Sequence, residues 1–125
     1  MNIKECIDQV DNVKPNQYQI AEKVKWLEFL DRMIIEDVLK THEDYDTKYD
    51  DFEGYSPDDL TKQLIVDTHY SIIYPSYLKM KIDEENGETA RYNNSSAMFN
   101  AYYEDFVKNY NKNHMPLCKQ RLEIF

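Results

Sequence analysis

The 125-residue sequence predicts an all-α fold: a small helical bundle built on a long antiparallel helix hairpin, with an acidic loop and an extended C-terminal tail. Three observations point there. Apolar residues recur every three or four positions in several segments, the repeat that puts side chains on one helical face. One of only two glycines, Gly87, falls between two aromatic-rich helical segments, where a left-handed stop can reverse the chain. The length suits one domain with a modest core. We place the helical domain at residues 1–114 and the tail at 115–125.

The elements follow in order. Ile3, Ile7, Val10 and Val13 share a helical face over residues 2–13, Asn2 can cap the start, and Pro15 ends the run. Tyr18 to Thr41 holds helical spacing through Ala21, Val24, Leu27, Leu30, Ile34 and Val38, and Trp26, Ile35 and Leu39 widen the stripe. Glu22, Lys23, Lys25, Glu28, Asp31, Arg32 and Asp37 fill most of the other face. Lys40 and His42 sit at the C-terminal end, where positive charge suits the macrodipole.

Residues 43–59 break the period. Eight acids against Lys48 leave the segment at −7, interleaved with Tyr45, Tyr49, Phe52 and Tyr55. This reads as an exposed loop with a turn at Glu53-Gly54. Ser56 as cap and Pro57 at the first helical position predict a short helix over 57–64, followed by an extended link at Ile65-Val66. Residues 68–86 are helical again through Tyr70, Ile73, Tyr74, Tyr77, Leu78 and Ile82, with Asp67 or Thr68 as cap and Pro75 kinking or restarting the helix. The last helix is clearest over 95–111, with Ala97, Met98, Ala101, Tyr102, Phe106 and Tyr110 on one side. It starts either at an Asn94 or Ser95 cap or earlier, through a helical lead-in at 88–92 whose polar groups turn into a contact.

The formal charge of −9 argues against a sequence-independent nucleic-acid binder and against an anionic membrane surface as partner. It is compatible with the wall of a passage that must not grip DNA. No apolar run approaches membrane-spanning length, and the N-terminal MNIKECIDQV reads as neither signal peptide nor targeting helix. Cys6 and Cys118 read as reduced cytosolic thiols, with a disulfide left open. Eleven tyrosines fit either an oligomer or docking protein, or amphipathic helices in which Tyr replaces Phe and Leu.

Chemistry is hard to place. Asp44-x-Asp46 opens like a calcium loop, but Tyr49 stands where glycine is needed and Tyr55 where glutamate is. His42, His69 and His114 have no ligand spacing and read as helix-end or surface residues. No glycine-rich phosphate cradle exists, and neither cysteine has a base arranged beside it. We therefore expect no catalytic residue, no metal and no cofactor. Arg91 can fork onto Glu88 or Glu84, or stand free on its helix.

One stretch carries more. Asn86, Gly87, Glu88, Ala90, Arg91, Tyr92, Asn93 and Asn94, then Phe99, Asn100, Tyr103, Phe106 and Tyr110, resemble an N-G-E-x-A-R-Y-N-N segment preceding an F-N-x-x-Y-x-x-F-x-x-x-Y helix. Small proteins of phages and prophages of Gram-positive bacteria share that pattern. Lys14 to Tyr18 and Glu22 to Leu27 match the same group, which resembles the head–tail connector, or head-completion, proteins of tailed phages. The resemblance implies a non-enzymatic virion protein at the neck, made in the host cytoplasm. Its copies would form a homo-oligomeric ring between the portal protein and a tail or stopper protein, with genomic DNA passing through the lumen unbound. On that reading Tyr45, Tyr49, Phe52, Tyr55, Tyr92, Phe99 and Tyr103 face a neighbouring subunit, and Leu117, Leu122, Ile124 and Phe125 dock the tail onto portal or stopper. The rivals are another neck or tail-terminator component, and a cytosolic acidic protein that blocks a basic partner.

Overall fold

The computed structural model describes residues 1–67 and 69–117. Four α-helices make the body: α1 (Ile3–Val13), α2 (Ile20–Asp37), α3 (Ile73–Glu85) and α4 (Thr89–Asn113). Short 3₁₀ turns cover Leu39–Thr41, Thr47–Asp51 and His69–Ile72. Among the described residues the extended pairing consists of isolated bridges, Asn2 with Gln63 and His42 with Pro116. No helix among them is long and apolar enough to cross a membrane.

α3 is the hub, touching α1, α2 and α4. It buries Ile73, Tyr74, Pro75, Ser76, Tyr77, Leu78, Ile82 and Asp83, so its burial runs around most of its circumference. A helix that is covered on several sides shows little amphipathic contrast in sequence. α1 contributes Ile3, Cys6, Ile7 and Val10, and α2 contributes Val24, Leu27, Leu30, Ile34 and Ile35. Val13 and Ala21, expected on the apolar faces, are exposed at the helix ends. Among the helices α4 packs chiefly on α3, and it also meets the turn at His69–Ile72. Ser95 bonds Asp83, Phe99 meets the Tyr77 ring at 5.1 Å, and Phe106 meets Tyr70 at 6.4 Å, so the two helices run in opposite senses. α4 buries only Phe99 and Phe106, worth roughly 2 kcal/mol each.

The boundaries have local causes. Asn2 closes a capping box, its side chain accepting from the Glu5 N–H while the Glu5 carboxylate accepts from the Asn2 N–H. α2 stops at Asp37, and the chain tightens into a 3₁₀ turn before His42. Pro75 restarts the helix: it occupies the third position of α3, where its missing N–H costs no intrahelical bond. Thr68, one of the two expected caps, lies outside the described residues. At the reversal Gly87 has φ +70°, its N–H donates to the Glu84 carbonyl, and the Glu88 N–H donates to the Asp83 carbonyl. That pair of bonds is the Schellman stop. α4 then begins at Thr89, through the lead-in rather than at Asn94 or Ser95.

The expected helix over 57–64 is absent. Ser56 Oγ accepts from the Asp58 N–H and Asp59 Oδ1 accepts from the Thr61 N–H, turns that compete with helix. The carbonyls of Leu60 and Lys62 instead accept the first N–H groups of α1, from Lys4 and Ile3. Those donors have no partner within their own helix, so the strap caps it.

Candidate functional site

The stretches that carry the sequence resemblance meet at one end of the bundle. Lys14 Nζ reaches Asp83 Oδ1 at 2.8 Å, and the Ser95 hydroxyl donates to the other oxygen of the same carboxylate. The Tyr18 hydroxyl donates to Asn86 Oδ1 at 2.6 Å. Asn16 holds the intervening loop, its amide donating to Asp11 Oδ1 and to the Lys14 carbonyl while its oxygen accepts from the Tyr18 N–H. Lys23, 3 % exposed, binds both oxygens of Asp11 at 2.8 and 3.1 Å. The Lys14–Tyr18 loop is thus bolted to the Asp83–Ser95 reversal. Beyond these bolts Arg91, Asn93 and Asn94 are exposed, and Arg91 pairs with Glu88 at 3.1 Å on the surface.

A second polar centre sits inside. Asp31 has no exposed surface. Its carboxylate accepts from the hydroxyls of Tyr55 and Tyr74, the latter at 2.6 Å, and from the Ile65 N–H at 3.2 Å. The Tyr74 hydroxyl in turn accepts from the Val66 N–H at 2.8 Å. Burial pushes the Asp31 pKa from 3.8 up to about 6, opposed by the three donors. Burial and the neighbouring carboxylate raise both tyrosines well above their ordinary range. The network ties the 55–66 strap to α2 and α3. Asp31 belongs to the buried side of α2, not the solvent side the sequence pattern assigns it, and Lys23 does too. The available signal was register: Lys23 and Asp31 lie four residues either side of Leu27, on the same helical face as the apolar stripe.

At the opposite end His42 is buried at 2 % exposure rather than a surface residue. Its Nδ1 lies 2.6 Å from the Val38 carbonyl and its Nε2 2.7 Å from Asn111 Oδ1, joining the end of α2 to the end of α4. Its ring meets Tyr110 edge-on, and His114 stacks on Tyr110 at 3.9 Å while bonding Asp44. That bond holds the Asp44 carboxyl below its ordinary range. Residues 115–117 pair alongside: the Glu43 N–H donates to the Met115 carbonyl, and the Leu117 N–H to the Thr41 carbonyl.

The residues expected at a subunit boundary take different places. In the acidic loop the carboxylates point out and the aromatics point in: Tyr45, Tyr49, Phe52 and Tyr55 are half-buried against the chain's own core. Arg32 sits 5.1 Å over the Phe52 ring, the Tyr55 N–H bonds Glu28, and Lys40 lies 3.8 Å from Asp50, so the loop lies back along α2. Gly54 has φ +96°, and a Cβ there would stand 2.2 Å from Glu28 Oε1. Phe99 is 6 % exposed in the α3–α4 seam. Tyr103 is half-buried beside it, with its hydroxyl buried and without a hydrogen-bond partner among the described residues. Phe99 and Tyr103 share a helical face with Phe106, and α3 covers that face. Tyr92 is half-buried on the same side. Leu117 is exposed; Leu122, Ile124 and Phe125 lie outside the described residues.

Cys6 is a free thiol, fully buried in the core, and burial drives its pKa up, so it stays protonated. Among the described residues no group of three or more His, Cys, Asp or Glu side chains is arranged to hold a metal. Comparison with protein-family models, with curated proteins and with solved structures finds no match.

Proposed function

We propose that this chain is a non-enzymatic structural adaptor, a head–tail connector whose copies form a ring between portal and tail at the phage neck. One observation supports the reading above others. The stretches that resemble connector proteins, distant in sequence, converge on one end of the bundle and fix its shape through Lys14, Tyr18, Asp83, Asn86 and Ser95. They leave Arg91, Asn93 and Asn94 exposed on a braced tip. A rigid, exposed tip is what a docking element needs, since little ordering entropy remains to oppose binding. The net charge of −9 suits a lumen that repels phosphate and lets DNA slide. The exposed Met115 and Leu117, at the base of the tail, are where contact with portal or stopper would begin.

Native mass spectrometry of the purified chain, alone and mixed with a phage portal protein, tests this. A discrete ring, or a monomer that assembles only on portal, is the expected result. A stable monomer or dimer that ignores portal and captures a basic host protein would replace the connector reading with that of an acidic blocking protein.

A further inference from the structure

The surplus tyrosines have a second use. A cleft of about 310 Å³ opens between the acidic loop, the 65–67 link and the C-terminal half of α4. Leu39, Ile65 and Val66 contribute apolar lining. Its aromatic lining is Tyr49, Tyr70, Phe106 and Tyr110, with Asp67 and Asn109 also among the lining residues. From the turn at 69–72 onto α4 the rings form a ladder: Tyr70 to Phe106 at 6.4 Å, then Phe106 to Tyr110 at 6.0 Å. Asp67 is exposed, and Tyr49, Tyr70 and Tyr110 are half-buried, so their surfaces are partly open to solvent.

The rings, Asp67 and the Asn109 oxygen favour positive charge; Asn113 and His114 line the α4 end of the cleft. Aromatic faces carry negative quadrupole density and attract a cation within about 6 Å. Tyr49 shows the effect in place, holding the Lys48 ammonium 5.1 Å from its ring centroid. Asp67 is the one acidic side chain lining the cleft. Lys108 and Lys112 border an adjoining depression that shares Tyr70 and Asn109 with the cleft and also holds His69 and Asp105, so the lysines of α4 do not line the cleft itself. The volume is at the low end for ligand sites, right for a side chain and small for a dinucleotide.

We propose that this cleft receives an arginine side chain from a basic segment of a partner protein. A guanidinium stacks on a ring with its plane, and its fork of N–H donors matches a carboxylate. Asp67 supplies that carboxylate, and the Asn109 side-chain oxygen is a further acceptor. An ammonium would use the rings but not the fork. The chain's acidic surface draws such a segment in, and the cleft selects the residue that seats. The inference rests on the chemistry of the cleft and not on the connector reading.

The test is an NMR titration of the full chain with the blocked tripeptide acetyl-Gly-Arg-Gly-amide, with acetyl-Gly-Gln-Gly-amide as the neutral control. The arginine peptide is expected to give saturable shifts at residues 65–70 and 106–113, and the glutamine peptide to give none there. Asp67→Asn, at an exposed position that leaves the fold intact, is expected to weaken binding about five- to tenfold, and Tyr70→Leu by a similar factor. Equal response to both peptides would overturn the proposal. So would shifts confined to residues 43–59, or an Asp67→Asn protein that binds as the parent does while its amide spectrum shows the same fold.

Discussion

Asp31→Asn should change how stability depends on pH in a defined window. Asp31 is fully buried with a pKa raised from 3.8 to about 6. The native state therefore holds this proton over a range where the unfolded state has lost it. The sign follows from linkage: the contribution is fully present below about pH 3.8 and is lost as pH rises through about 6. The difference is worth about 3 kcal/mol. Asparagine keeps an acceptor for the tyrosine hydroxyls and carries no charge, so Asp31→Asn should lack this loss. Urea unfolding followed by fluorescence of Trp26, the single tryptophan, measures it at half-unit steps from pH 4 to 8. The other carboxylates titrate in both proteins, so the parent-minus-variant difference isolates Asp31. That difference should grow in favour of the variant by about 2 kcal/mol between pH 4 and 7, the rest of the change falling below pH 4. A flat difference would mean that the two tyrosines and the Ile65 N–H fully replace water around the ionised carboxylate, and the burial argument would be refuted. Asp31→Ala should instead destabilise at every pH, because Tyr55, Tyr74 and Ile65 lose their shared acceptor, at roughly 1 to 3 kcal/mol for the orphaned donors.

Further outcomes follow from other residues. Gly54→Ala should cost about 2 kcal/mol and Gly87→Ala about 1 kcal/mol by urea unfolding, because both need positive φ but only Gly54 faces Glu28, while the space at Gly87 is open. Equal losses would show that the Glu28 carboxylate swings away freely. Lys14→Met should cost about 2 kcal/mol, since it leaves the buried Asp83 with Ser95 as its remaining side-chain partner, and should speed hydrogen exchange at residues 86–95 more than at 70–78. Tyr103→Phe removes a buried hydroxyl that has no partner among the described residues and should leave stability unchanged or raise it by up to about 1 kcal/mol. A large loss in that variant, read in the same unfolding assay, would mean the hydroxyl has a partner.

Much of the fold is written locally. Asn2 and Glu5 cap α1, Pro15 ends its region, and Gly87 with open space around it turns the chain, each through interactions within a few residues. Helical period then places Leu27, Leu30, Ile34, Tyr74 and Leu78 inside, because one face of a helix must leave water wherever a neighbour exists. Polar residues in an apolar register defeat that logic. Asp31, Lys23, Asp83 and His42 are buried because partners arrive from distant parts of the chain: Tyr55 and Tyr74, Asp11, Lys14, and Asn111. A carboxylate's neighbours along its own helix do not reveal whether a hydroxyl will come across to meet it. The 57–64 segment failed as a helix for a similar reason, since its carbonyls are drawn to the open N–H groups of α1. The sequence alone therefore determined the helical class, the reversal at Gly87 and the acidic charge. Only the tertiary structure decided which face of α4 is covered, that the loop aromatics fold inward along α2, and that an open aromatic cleft remains beside Asp67. Those outcomes depend on long-range pairing, whose energy exists only once the chain has closed on itself.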